Sequence, residues 1–466
     1  MKELEGIVIL VITSYLVATS IAAPPNILYI LSDDIGWNGV SWHNSEVVTP
    51  SLQELVDGGV LLEQYYTNSL CTPSRSSLLT GNYAYKMGRQ RIVIYAADPT
   101  GLSMNYTLLP ERLKDAGYAT HLVGKWHLGF CNWSYTPTYR GFDSFYGFYK
   151  ARDSYFYHSD VEFGGYDLRD NEEVAWSDNG TYSMNLFTDR AIEVIRSHES
   201  SDQPFFLYLA PQSVHSPYEV PPKYEDFYPQ IADERRRKYL AAVTAMDEGI
   251  GRVLNVLKET GKYNNTIIVW STDNGGVEIV PDNNTPLRGW KATMMEGGSR
   301  VPAIIHSPLL ESTPRVEHGL VHVVDWHNTL LSAIGITDLP NNDGLNQWEY
   351  IRTGTVPSPR KEFIYNLDDM YGTGVIDGGI RVGKWKFVMG WMMYTNETGP
   401  WLFNLEDDPN ETTNLYEIEP VIAAQLEARL LEELPSMLPA DTHLPDLSCD
   451  PANFGGAWSP GWCDAK

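Results

Sequence analysis

The feature that most constrains this chain occurs four times: a short apolar run followed at once by side chains suited to chemistry. Residues 26–31 lead into Ser32, Asp33 and Asp34, and residues 118–123 into Gly124, Lys125, Trp126 and His127. Residues 205–210 lead into Gln212, Ser213, Val214 and His215, and residues 266–270 into Ser271, Thr272, Asp273 and Asn274. Continuous apolar runs of this length read as strands buried on both faces. Helical patterns lie between them, most clearly over 233–260, where Leu240, Val243, Met246, Ile250, Val253, Leu254 and Leu257 share one stripe and Gly261 supplies the stop. The alternation predicts an α/β fold, a large sheet covered by helices. In such sheets ligands bind beyond the carboxyl ends of the strands, which is where the four polar clusters would meet.

After about residue 345 the pattern changes to Gly/Asp-rich turns between short strands, such as 379–382 and 384–388, followed by an amphipathic helix over 420–434. The expected division is a leader over 1–22, a large α/β unit over 23–350 and a smaller C-terminal α+β domain over 351–466, with 353–359 as the linker.

With 43% hydrophobic and 12% aromatic residues the chain carries enough apolar surface to exclude disorder. A formal net charge of −26 repels nucleic acid and anionic lipid, so an anionic substrate would need a local cluster of positive groups. The basic run 235–238 begins a helical pattern and reads as a solvated face.

Residues 7–23 are apolar but diluted by Thr13, Ser14, Thr19 and Ser20, and are short for a bilayer span. They read as a signal peptide cleaved after Ala22, with Ala23 as the alternative site and no stable membrane anchor. Seven sequons, at Asn105, Asn132, Asn179, Asn264, Asn283, Asn396 and Asn410, agree with export and are expected to be exposed, Pro286 making Asn283 the weakest. Of the four cysteines, Cys449 and Cys463 close a short loop and are the first choice for a disulfide, leaving Cys71 and Cys131 to be explained.

Cys71-Thr72-Pro73-Ser74-Arg75, with Leu79-Thr80-Gly81 downstream, makes the reading specific. It matches the C-x-P-S-R signature of the type I sulfatases, and the chain resembles that family, most closely its arylsulfatase B-like group. The matching clusters run in family order from Asn26 to Lys291. The resemblance implies an alkaline phosphatase-like sheet. It also implies conversion of Cys71 to formylglycine by a formylglycine-generating enzyme during export, with sulfate-ester hydrolysis through a covalent sulfo-enzyme. The substrate class implied is sulfated carbohydrate, such as N-acetylgalactosamine 4-sulfate, or a small sulfate ester, and the location is secreted or lysosomal.

The clusters also have readings of their own. An Asp-Asp pair alone is more often a turn or a helix cap, but Asp33 and Asp34 set against Asp273 and Asn274 make a hard-oxygen cage suited to Ca²⁺ or Mg²⁺ rather than zinc. The resemblance narrows this to one calcium ion held by Asp33, Asp34, residue 71, Asp273 and Asn274. Arg75 follows Cys71 by one helical turn, so a helix N-terminus and a guanidinium can face the same anion. Lys125 and His127 flank Trp126 and would share a face of an extended segment, one as fixed charge and one able to move protons. His215 and Lys291 complete the positive cluster, and by resemblance contact the sulfate and the bridging oxygen. Trp290 departs from the vertebrate lysosomal pattern and bears on the pocket wall.

Three other classes compete. A phosphatase or phosphodiesterase of the same superfamily would carry Ser or Thr and two zincs in place of the cysteine motif. A zinc hydrolase would want a closer His cluster, and a noncatalytic binding glycoprotein has no use for all these polar positions together.

Overall fold

The computed structural model describes residues 24–160, 162–391 and 397–465; the leader expected over 1–22 and the sequon at Asn396 lie outside them. Ten strands form one sheet. At its centre Thr266–Thr272, Asn26–Ser32, Phe205–Ala210, Ala119–Lys125 and Ser144–Phe148 lie side by side and parallel. Ala303–His306 runs antiparallel beside Thr266–Thr272, and short strands extend both edges.

Side-chain alternation divides each central strand between two cores. Leu28, Ile30, Leu207, Leu209, Ile268 and Trp270 pack under the helices Ser183–Ser197 and Glu234–Glu259. Ile27, Tyr29, Leu31, Phe206, Tyr208, Ile267 and Val269 pack under Cys71–Thr80, Leu109–Asp115 and Asp325–Ala333. Both faces are therefore covered, which is why these strands read as unbroken apolar runs. The helix expected over 233–260 spans Glu234–Glu259, with the Asp233 side chain accepting from Arg236 N as its N-cap.

A second sheet of four antiparallel strands, Glu362–Asp369, Ile376–Val382, Trp385–Met389 and Trp401–Asn404, is covered by the helix Pro420–Leu431, shorter than the expected 420–434. Its core includes Tyr66, Tyr83, Leu320 and Val324 from the larger part. The stretch 353–359 is packed rather than free: Ser358 is buried and its hydroxyl donates to Leu320 O at 2.7 Å, while Arg360 just beyond pairs with Asp325. A buried ion cluster also ties the second sheet to the short helix Glu296–Ser299, with Lys386 between Glu296 (3.0 Å) and Glu411 (2.7 Å), all three buried.

The chain end corrects the disulfide assignment. Cys463 bonds to Cys131, not to Cys449, which is free and buried in the core beneath the large sheet. Residues 451–463 carry the tail away from Cys449, and the amides of Gly461, Trp462 and Cys463 all donate to Cys131 O. Proximity in sequence misled because the intervening residues fold through the 3₁₀ helix Pro451–Phe454 and pair at Trp458 with Tyr166 before they reach Cys131. The same tail covers Asn132, whose Nδ2 donates to Cys463 O at 2.9 Å. Asn283 is buried, at 3% exposed, and Asn132 is half-buried with its amide bonded, so neither sequon is exposed as expected, whereas Asn105, Asn179 and Asn264 are exposed.

Candidate active site

Because the central strands are parallel, their carboxyl ends lie along one edge, and the four clusters converge there as the strand pattern predicts. Asp33 and Asp34 follow Asn26–Ser32, with Asp34 at a left-handed φ of 62°. The amide of Asp273 donates to Ser32 O (3.0 Å), and that of Asp34 reaches Asp273 Oδ1 (3.4 Å). Cys71 opens the helix Cys71–Thr80 behind an extended Leu70, and all ten residues of that helix are buried. Its thiol lies 3.7 Å from Asp33 Oδ1.

The cations sit on these acids. Arg75 donates to Asp273 Oδ2 through Nε (3.0 Å) and Nη2 (2.9 Å) and to Lys125 O through Nη1 (3.3 Å). Lys125 pairs with Asp33, Lys291 with Asp34, and Asn274 Nδ2 donates to Asp34 Oδ1 at 2.7 Å. Three carboxylates thus face three fixed cations in a pocket where Asp33, Asp273, Arg75 and Lys125 are fully buried. Burial pushes the carboxyls of Asp33 and Asp34 up, but the neighbouring cations outweigh it and hold both below the ordinary range. Both acids are therefore ionised and ready to meet a cation.

The donor set fits a hard cation. Asp33, Asp34, Cys71 and His215 bring ligand atoms within 4.8 Å of one another, and Asn274 Oδ1 is buried with no hydrogen-bond partner. An unmatched buried carbonyl oxygen beside converging carboxylates is the environment that Ca²⁺ or Mg²⁺ satisfies. His215, expected in the positive cluster and not among the metal ligands, thus also borders this acidic group.

Exposure orders the rest. His215 and Lys291 are each 14% exposed at the side chain, so the site opens to solvent on their side. His215 Nδ1 lies 2.8 Å from Ser216 O, which gives that nitrogen the proton and turns Nε2 toward Asp34 (3.7 Å). His127 is at the closed end. Its Nε2 lies 3.1 Å from Ile94 O, so Nε2 carries the proton, and Nδ1 is buried and unpartnered. Burial first, then Lys125 and Arg75, hold its pKa well below the ordinary imidazole value, so it is a neutral base. The strand ends at Lys125 and His127 has φ 59°, so a left-handed kink, not the expected strand alternation, brings this pair to the site.

Cys71 itself is inert as a thiol. Burial, followed by the charge of Asp273, pushes its pKa up to about 12, which leaves almost no thiolate at neutral pH.

The comparisons with known proteins bear on this arrangement directly. The sulfatase family model matches residues 25–336. The chain belongs to the sulfatase family. Arylsulfatase J of Mus musculus is 37% identical over 95% of this chain and 81% of its own length. N-acetylgalactosamine-6-sulfatase of Homo sapiens is 30% identical over 84% and 79% respectively. Among solved structures, Ps i-CgsB in complex with k-i-k-neocarrahexaose superposes with a TM-score of 0.82 at 25% identity, covering 91% of this chain and 96% of that one. This sulfatase is accordingly a sulfuric ester hydrolase with the alkaline phosphatase-like fold.

Two residues of the sulfatase's site escape sequence reasoning. Thr72 Oγ1 donates to His127 O and accepts from Ile94 N, both at 3.1 Å, fixing the start of the Cys71 helix to the His127 turn. Tyr155 OH reaches Gln212 O (3.0 Å) and His215 O (2.8 Å) and props the His215 loop. Both act through main-chain oxygens, which no side-chain motif reports.

Proposed function

We propose that the protein hydrolyses sulfate esters of sugars, R–O–SO₃⁻ plus water giving R–OH plus sulfate, with formylglycine made from Cys71 as the nucleophile. The observation that carries this reading is Cys71 itself, an inert thiol at the N-terminus of a buried helix, beside Asp33 and within a cluster of three cations. A hydrated aldehyde at the same position presents two hydroxyls, one to attack sulfur and one to release it afterwards. One calcium ion held by Asp33, Asp34, Asp273, Asn274 and residue 71 would supply charge to the sulfate oxygens and help the hydrate to ionise.

The chain's own groups divide the remaining work. Arg75, Lys125 and Lys291 orient the sulfate and stabilise charge on its oxygens, in a pocket dry enough to make each contact count. His215, on the open side where the alcohol must leave, acts in its doubly protonated form: Nδ1–H stays on Ser216 O while Nε2–H, which faces Asp34, passes to the departing oxygen as its bond to sulfur breaks. His127, a neutral base, takes the proton that must leave residue 71 for sulfate to depart and the aldehyde to return.

Sulfated amino sugars such as N-acetylgalactosamine 4-sulfate are the proposed substrates, supported by the names of the relatives, one of them an N-acetylgalactosamine-6-sulfatase. Maturation is assigned to the secretory pathway, with a formylglycine-generating enzyme as partner and a secreted or lysosomal destination. The Cys131–Cys463 disulfide supports passage through an oxidising compartment. No helix of the described residues is long and apolar enough to cross a membrane.

Mass spectrometry of the peptide containing residue 71 tests the reading, together with turnover by Cys71→Ala and Cys71→Ser. Formylglycine in the active protein and loss of multiple turnover in both variants are expected. An unmodified thiol in fully active protein, or steady turnover by the serine variant, would refute it.

A further inference from the structure

The basic run 235–238 is not a uniform solvated face. Arg236 is buried and donates to Pro281 O at 2.6 Å, Arg237 pairs with Glu225 at 3.0 Å, and Lys238 pairs with Glu234 at 2.7 Å. Arg235 differs: it is exposed and, among the described residues, in no ion pair, its Nη1 donating to Ile279 O at 3.0 Å. Its charge is therefore free of a compensating carboxylate, in a chain whose net charge is −26.

The position of Arg235 relative to the site follows from its helix. Tyr239 lies four residues on, on the same face of Glu234–Glu259, and its hydroxyl accepts from Gly36 N at 3.2 Å, two residues from Asp34. Arg235 thus stands one helical turn before the residue that touches the Asp34 loop. Ile279 belongs to the segment joining Asn274 to Lys291, whose amide donates to Gly276 O at 3.0 Å. Tyr218, half-buried, lies three residues past His215, and its phenol is raised by burial first and then by Asp34, with Lys291 and Arg235 opposing. His215, Tyr218, Lys291, Ile279 and Arg235 therefore belong to the side on which the site opens.

We propose that Arg235 binds a second anionic group of the substrate, a sulfate or carboxylate on the ring next to the one bearing the scissile ester. This rests on the sulfated-sugar reading above and narrows it to substrates with at least two negative charges. A guanidinium takes either oxyanion through paired N–H donors, which a lysine does not.

The test is kinetics of the wild type, Arg235→Gln and Arg235→Lys on three substrates: a nitrophenyl sulfate, a disaccharide sulfated on both rings, and a sulfated disaccharide whose neighbouring ring is a uronate. Arg235→Gln should raise KM on at least one disaccharide by about 10–100-fold with kcat little changed, and leave the nitrophenyl sulfate within about twofold. Arg235→Lys should restore part of the loss, and added salt should raise KM on that disaccharide in the wild type more than in Arg235→Gln. Which disaccharide responds identifies the second group as sulfate or carboxylate. Equal losses on all three substrates would mean that Arg235 merely holds the Ile279 segment, and no loss would mean a solvated side chain; either result overturns the proposal. Wild-type turnover of the nitrophenyl sulfate reports the hydrolytic chemistry separately, so a failure there is distinguishable from a failure of Arg235.

Discussion

His127 and His215 occupy opposite ends of one pocket, and their surroundings predict different kinetic defects. His215 is on the open side and is assigned to the leaving oxygen. His215→Ala should cost a sugar sulfate on the order of 10²–10⁴-fold, because an alkoxide leaves poorly without a proton, and should cost a nitrophenyl sulfate far less. His127 is enclosed, with Nδ1 unpartnered, and acts after the alcohol has gone. His127→Ala should slow both substrates to a common rate, with a burst of nitrophenol first. Stopped-flow measurement on the two substrates separates the cases, and equal losses for His215→Ala with no burst from His127→Ala would reverse the assignment. At this scale the sequence was legible where function resides in a side chain next to a strand end, as at Asp33, Lys125 and Asp273. It was silent on Thr72 and Tyr155, whose hydroxyls serve main-chain oxygens far away in the chain.

Among the elements, the segment between Lys291 and the second sheet rests on a charge arrangement. Glu296, five residues past Lys291, is held down to about 2: burial raises it, but Lys386, Arg381 and Arg300 outweigh that. Glu411 is pushed up to about 7 by burial, against the pull of Lys386 and with the help of Glu296. Glu411 Oε2 also accepts from Glu296 N at 2.7 Å. Lys386→Met would strand Glu411 without its cation and leave Glu296 to Arg381 and Arg300, at a cost of about 3–5 kcal/mol. The sign with pH follows from the carboxyls. Without the lysine both folded-state pKa values rise, so the variant's deficit should be largest near pH 8 and shrink as pH falls below about 5, where neutral carboxyls need no counter-charge. Urea titrations across that range check it, and a deficit independent of pH would contradict it. The strands and helices of the large sheet were readable because burial on both faces leaves a period and a length in the sequence. This cluster was not, since Glu296, Lys386 and Glu411 are 90 and 25 residues apart along the chain and only the fold brings them together.

Across the whole molecule, the Cys131–Cys463 bond spans 332 residues and ties the last turn of the chain to the segment that follows His127. Replacing Cys463 by Ser should lower stability by about 2–5 kcal/mol and lower turnover as well, because the tail braces that segment. Chemical unfolding and steady-state rates measured on the same preparation check both; unchanged turnover would show that the brace is structural only. No spacing rule predicts a pairing over such a distance, whereas Cys449 and Cys463 are near neighbours in sequence.

The complete burial of the Cys71 helix also sets an order of events. With Cys71 at 1% exposed and none of its ten helical residues at the surface, an enzyme that modifies this thiol can reach it only before the sheet closes over it. If formylglycine at residue 71 is the nucleophile, as proposed, modification and folding compete for each newly made chain, and a chain that folds first keeps the inert thiol. The activity of a preparation would then measure the outcome of this race.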